Sequence, residues 1–229
     1  MKRAAAIFCL LLINASAWPD VFLYPLKTQS GQSAQSMDAF INTCSILAQH
    51  PLIRGEFEQE KVLSRLGRSL KSSGVFIISA QDGMVWDTLK PFPSTLVLGS
   101  NYFAQLRPNG QKTVLSAEGN ETFLRFAEVI SAVFSGRTQG LLENFEVYFS
   151  GGPAAWEMGL LPLDKAIAGF AGKITMEGGA AMSGGLSGDT VIKSITVYEQ
   201  NGDAIIYLMS NHRYMPELSV NERAFFQIQ

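Results

Sequence analysis

Between residues 50 and 117 the chain alternates apolar and polar residues in short runs, and no gap between runs could hold a crossover helix. Residues 52–62, LIRGEFEQEKV, put Ile53, Gly55 and Phe57 on one strand face and Arg54, Glu56 and Glu58 on the other. Residues 73–80, SGVFIISA, read as a strand apolar on both faces. Met84 shares a face with Trp86, and Leu96 with Leu98; Phe103 follows the turn signal Gly99-Ser100-Asn101. Residues 111–117, QKTVLSA, add a further short strand. Parallel neighbours need a crossover of a dozen residues or more, so about five strands joined this closely form an antiparallel meander.

Helical periodicity frames this meander. Met37, Phe40, Ile41, Cys44, Leu47 and Ala48 follow the spacing of an amphipathic helix over 37–49, with Ser36 as N-cap and Pro51 as stop. A second apolar stripe runs through 121–134 (Phe123, Phe126, Ala127, Ile130, Val133, Phe134) and ends at Gly136. A short helix is expected around Leu141. Period two then returns over 145–151, 155–163, 173–179, 192–200 and 204–212, with a helical connector at 164–171. Asn201-Gly202 marks a hairpin, and the Gly- and Ser-rich run 178–189 reads as a flexible loop. No repeat or shift in composition divides the chain. Residues 37–229 are expected to form one domain after a flexible lead-in at 18–36. The fold class is mainly β with α (α+β), a long antiparallel sheet with two amphipathic helices over one face.

Residues 1–17 read as a secretory signal peptide. Lys2 and Arg3 precede an apolar run too short to span a bilayer, and Ala15-Ser16-Ala17 is a small-x-small cleavage signal. Cleavage after about Ala17 leads to a secreted protein and moves the net charge from −2 to −4. That acidic balance argues against nucleic acid or an anionic membrane as partner. Cys44 then stands as the one cysteine, so no intrachain disulfide forms, and its place on an apolar helix face makes it a buried thiol.

The motifs of catalysis are missing. The sequence has no G-x-S-x-G elbow, no P-loop and no G-x-G-x-x-G after a strand. His50 and His212 are its two histidines and lie in no ligand cluster, so neither a metal nor a cofactor is expected. Glu56, Glu58 and Glu60 are neighbours on one strand face, whereas glycosidase carboxylates oppose each other across a cleft. The chain is not read as an enzyme. Patterning leaves two outcomes: the helices plug the sheet and all is ordinary core, or sheet and helices leave a gap that holds an apolar guest. Eight Met and fifteen Phe are compatible with loose packing.

The order of the segments resembles a known family. A helix is followed by G-E-F-E-Q (55–59), S-S-G-V-F-I-I-S (72–79), M-V-W-D-T-L-K-P-F (84–92), T-L-V-L (95–98) and Y-F (102–103), and late in the chain by the hairpin K-S-I-T-V-Y-E-Q-N-G-D-A (193–204). This resembles the LolA family of periplasmic outer-membrane lipoprotein carriers, over roughly residues 37–215. The resemblance implies a half-open antiparallel β-barrel under an α-helical lid. It implies a monomeric chaperone that shields acyl chains in a hydrophobic cavity and binds acylated lipoproteins or lipids. By the same resemblance its partners are an inner-membrane lipoprotein-releasing transporter and an outer-membrane receptor. The cavity would be lined by Phe57, Phe76, Ile78, Met84, Trp86, Leu96, Leu98 and Phe103, with Phe40, Ile41, Phe126 and Ile130 on the lid. Family carriers have an Arg-Pro pair before the tryptophan that helps latch the lid; here the stretch is Ser79-Ala80-Gln81-Asp82. That departure keeps open a carrier of another lipid or apolar product. A secreted interaction module with a filled core is the alternative from a different class.

Overall fold

A computed structural model describes residues 21–26, 34–99, 102–107, 111–114, 129, 131–136, 138–163, 165–181 and 189–227. The expected signal peptide, residues 121–128 and residues 182–188 lie outside the described residues. The strands are β1 (Leu52–Leu63), β2 (Arg68–Ser79), β3 (Gly83–Lys90), β4 (Ser94–Leu98), β5 (Phe103–Leu106), β6 (Lys112–Val114), β7 (Phe145–Gly152), β8 (Ala155–Pro162), β9 (Lys173–Ala180), β10 (Thr190–Tyr198) and β11 (Ala204–Tyr214). They form one antiparallel sheet in the order β6-β5-β4-β3-β2-β1-β11-β10-β9-β8-β7. Two meanders, β1–β6 and β7–β11, are thus joined by the β1–β11 pair. Helices α1 (Ala34–Leu47), α2 (Thr138–Asn144), α3 (Lys165–Phe170) and α4 (Val220–Phe226) and two short 3-10 turns (Val21–Leu23, Ser64–Leu66) accompany the sheet, with residues 131–134 also helical.

One face of the sheet carries the main core. Across the second meander, Phe149 pairs with Met158, Met158 with Met176, Met176 with Ile195, and Ile195 with Tyr207. All five are buried, and they join Phe57, Phe76 and Trp86 of the first meander in a single cluster. Helix α1 lies against this face. Its Phe40, Cys44 and Leu47 are buried, and the Phe40 ring meets Phe149 edge-on at 5.6 Å. Burial pushes the Cys44 thiol up to about 12, so it stays protonated.

The opposite face has its own smaller core. Leu52, Ile77, Val85 and Val97 pack with Leu218 ahead of α4, and Phe225 and Phe226 of α4 lean on them. This second core is why residues 73–80 are apolar on both faces.

Several boundaries differ from the sequence expectation. Six strands, not about five, occupy residues 52–114, because Phe103–Leu106 is a strand of its own; β2 also starts earlier, at Arg68. The polar stretch from Arg68 to Ser72 has no apolar alternation, yet it pairs in register with residues 59–63 of β1. Helix α1 starts at Ala34, so Ser36 sits in its first turn and is not its cap. Gly178 and Gly179 belong to β9, not to a loop. The lead-in is docked where it is described: Leu26 N–H donates to the Val147 carbonyl at 2.9 Å and Phe149 N–H to the Tyr24 carbonyl at 3.0 Å. This backbone pairing covers the β7 edge, which would otherwise present open hydrogen-bonding groups.

Candidate functional site

The aromatic rings of the main core lie over glycines. A Cβ on Gly55 would stand 2.4 Å from the Phe76 ring, and one on Gly178 would stand 2.1 Å from Trp156. A Cβ on Gly74 would stand 2.9 Å from the Phe57 ring. Three missing side chains therefore let three large rings come down onto the sheet backbone. Phe57 stacks with Trp86 at 4.2 Å between centroids, Phe76 lies 6.0 Å from Trp86, and Tyr207 meets Trp86 edge-on at 5.4 Å. Offset and edge-on pairs of this kind are favourable contacts beyond their buried area.

Register puts all eight expected cavity residues on this face. Phe57 stands opposite Gly74, Phe76 opposite Trp86, Ile78 opposite Met84, Leu96 opposite Trp86, and Leu98 opposite both Met84 and Phe103. Phe57, Phe76, Ile78, Met84, Trp86 and Phe103 are buried, while Leu96 and Leu98 are partly open. On the lid, Phe40 is buried. Ile41 is 48% exposed, because the buried stripe of α1 is the narrow one through Phe40, Cys44 and Leu47. This corrects the expectation that Ile41 faces inward. Phe126 and Ile130 lie outside the described residues.

The open space lies at the rim of this face. A cleft of about 990 Å³ separates the β2–β3 turn and the end of β4 from the start of β7. The two flanks of the open sheet thus face each other across it, and residues 131–136 and 138–144 contribute to its lining. Its apolar wall is Leu98, Val129, Ala132, Leu141, Phe145 and Ile167. Its polar lip includes Gln81, Asp82, Gln139 and Glu143. Of the expected cavity residues, Leu98 alone is among the described lining. Phe57, Phe76, Ile78, Met84 and Trp86 belong instead to the packed core, with Leu96 against them.

At the lip the chain makes a tight turn. The Ser79 hydroxyl donates to Asp82 Oδ2 at 2.6 Å, and Asp82 N–H donates back to Ser79 Oγ at 3.0 Å. A second polar group lies at the same end of the sheet, where Ala80 N–H donates to the Pro51 carbonyl at 2.8 Å. His50, just after α1, lies 2.9 Å from Asp189 and stacks on Tyr214 at 3.6 Å between ring centroids. Trp156 Nε1 donates to Thr190 Oγ1 at 2.9 Å. His212 is partly buried beside Phe76, where desolvation lowers its pKa to about 4. Its Nε2 has no hydrogen-bond partner among the described residues.

The second meander's share of this face, from Phe149 and Trp156 to Tyr207 and Met209, was not among the expected site residues. The alternation Trp156-Met158-Leu160 and Ile174-Met176 was its signal. No cluster of metal-ligating side chains occurs among the described residues.

No family model matches the sequence, and no curated protein matches it. The chain is similar to solved structures. One is a LolA superfamily protein from Nitrosomonas europaea, with 8% identity over 84% of this chain and 97% of that one, TM-score 0.48. Another is a DUF1329 family protein from Desulfovibrio piger, with 12% identity, the same coverages and TM-score 0.49. A third is LprF from Mycobacterium bovis, with 8% identity over 86% of this chain and 97% of that one, TM-score 0.43. The fold itself rests on the strand order and register above.

Proposed function

We propose that this protein is a carrier that shields the acyl chains of lipoproteins or lipids from water. The observation that supports this is the junction of an apolar sheet face, its rings laid flat over glycines, with an apolar-walled cleft between the two flanks of the sheet. The cleft is at the upper end of ligand-pocket volumes, about 300–1,000 Å³. Burial is the whole of the mechanism, with no bond made or broken. Each methylene taken out of water contributes about 0.8 kcal/mol, so acyl chains cross an aqueous compartment only under cover. Acyl chains enter past Leu98, Leu141 and Phe145 and lie along the apolar wall of the cleft. The polar lip of Gln81, Gln139 and Glu143 leaves a peptide or headgroup in water.

In the finer reading the protein works in the periplasm and delivers lipoproteins from an inner-membrane transporter to an outer-membrane receptor. The Ser79–Asp82 turn, standing where family carriers latch the lid through arginine, favours a second reading in which the cargo is another lipid or apolar product. Native mass spectrometry of protein purified from periplasm without detergent decides between them. A bound lipoprotein supports delivery, and a bound lipid supports the second reading. Protein that stays bare in gentle conditions, and takes up no acylated peptide, contradicts both.

A further inference from the structure

At the end of β2 remote from the cleft, the β1–β2 hairpin and the β3–β4 turn carry large apolar side chains that the described chain leaves uncovered. Leu66 is 67% exposed, Leu70 60%, Leu89 49% and Phe92 83%. Register sets them along the same end of the sheet: Leu70 stands opposite Lys61, and Ser73, about 10 Å further along β2, stands opposite Lys90 at the start of the turn bearing Phe92. Cleft-lining Ser79 is at the other end of β2, roughly 30 Å away at 3.3 Å per residue. This surface is therefore separate from the proposed cargo site, and the inference does not depend on that reading.

The charge here opposes the charge of the chain. The whole sequence is net −2, yet residues 61–71, KVLSRLGRSLK, hold four basic residues and no acidic one, and Lys90 adds a fifth in the neighbouring turn. Lys61 is paired with Glu199 at 3.0 Å and Lys71 with Glu60 at 3.5 Å. Arg65, Arg68 and Lys90 form no ion pair among the described residues. The tip is also held in shape. Gly67 adopts the left-handed conformation, Ser64 N–H donates to Asp203 at 2.9 Å, and the Ser64 hydroxyl donates to the Gly202 carbonyl. An ordered tip that alternates arginine with leucine, beside an exposed phenylalanine, matches the bilayer interface. There apolar groups enter the acyl boundary while basic groups meet anionic headgroups.

We propose that this end of the sheet docks on anionic lipid bilayers, with Leu66, Leu70 and Phe92 entering the interface and Arg65, Arg68 and Lys90 on the headgroups.

The test is flotation of the purified exported protein with vesicles of phosphatidylcholine, alone or with about one-quarter phosphatidylglycerol. Partition is expected on the anionic vesicles only, and it is expected to be lost near 1 M salt, where screening acts over about 3 Å. Arg65→Glu with Arg68→Glu, and separately Leu66→Asp with Phe92→Asp, should each weaken partition about tenfold or more. These positions are exposed, and circular dichroism checks that the variants keep the fold. A polarity-sensitive dye on Leu66→Cys should shift to the blue with anionic vesicles, while the same dye on Leu23→Cys should not. Failure of the unmodified protein to partition overturns the proposal. So does partition that survives both double variants, or a Leu66 dye that remains in water.

Discussion

Phe57 and Trp86 stack at 4.2 Å across strand β2, and the residue of β2 opposite Phe57 is Gly74. The stack exists because that position has no side chain. A Cβ there would stand 2.0 Å from the backbone oxygen of Asp87 and 2.9 Å from the Phe57 ring. The Asp87 oxygen belongs to the β2–β3 ladder and cannot swing aside. Gly74→Ala should therefore destabilise the protein by about 3 kcal/mol, the upper range for overpacking a tight site. Urea unfolding followed by tryptophan fluorescence checks this. An unchanged midpoint would mean that the ring layer does not depend on this close approach.

His212 makes stability depend on pH in a definite direction. Its pKa is lowered from 6.5 to about 4 in the folded protein, chiefly by burial, so the unfolded chain binds a proton that the folded one refuses. Between these values the unfolded state holds more protons, and stability falls as pH falls. The contribution is complete above about pH 6.5 and lost by about pH 4. His212→Gln should flatten the fall in melting temperature across that window. A variant with the same slope as the parent would assign the acid sensitivity to other groups.

Helix α4 is held by its first turn. Ser219 and Glu222 form a capping box, and Glu222 also meets Arg54 of β1. Ser219→Ala should cost about 1 kcal/mol. The loss should appear locally, as faster hydrogen exchange in residues 218–226 and easier proteolysis there, since Leu218 and Phe225 anchor only the smaller core. Uniformly faster exchange over the whole sheet would instead make α4 part of the main cooperative unit.

The strands were legible wherever one face is buried and the other wet, because burial on one side imposes period two on the sequence. Trp156-Met158-Leu160 shows this, and so does the row from Phe57 to Leu98. Legibility failed where no core reads the pattern. The start of β2 at Arg68–Ser72 lies beyond the core, and its side chains are exposed or partly exposed. Helix α4 is seven residues long, too short for a periodic stripe, so its cap was its only strong signal. Ile41 fits a helical stripe on paper, but the sheet covers only the line through Phe40 and Cys44. The cleft was illegible for a different reason. Leu98 and Phe145 face it from opposite flanks of the sheet, and local alternation carries no information about how far a sheet curls.

The most direct test of the carrier account is binding of one synthetic peptide in two forms, acylated and free of acyl chains, followed by calorimetry and by Trp86 fluorescence. The account predicts that the acylated form alone binds. It also predicts that Leu98→Arg, at the partly open mouth of the cleft, weakens that binding by about a factor of ten or more while the protein remains folded, since one charge set against apolar chains costs well over 1.4 kcal/mol. Equal binding of the two forms, or no binding of the acylated one, would contradict it and leave the aromatic layer as ordinary core.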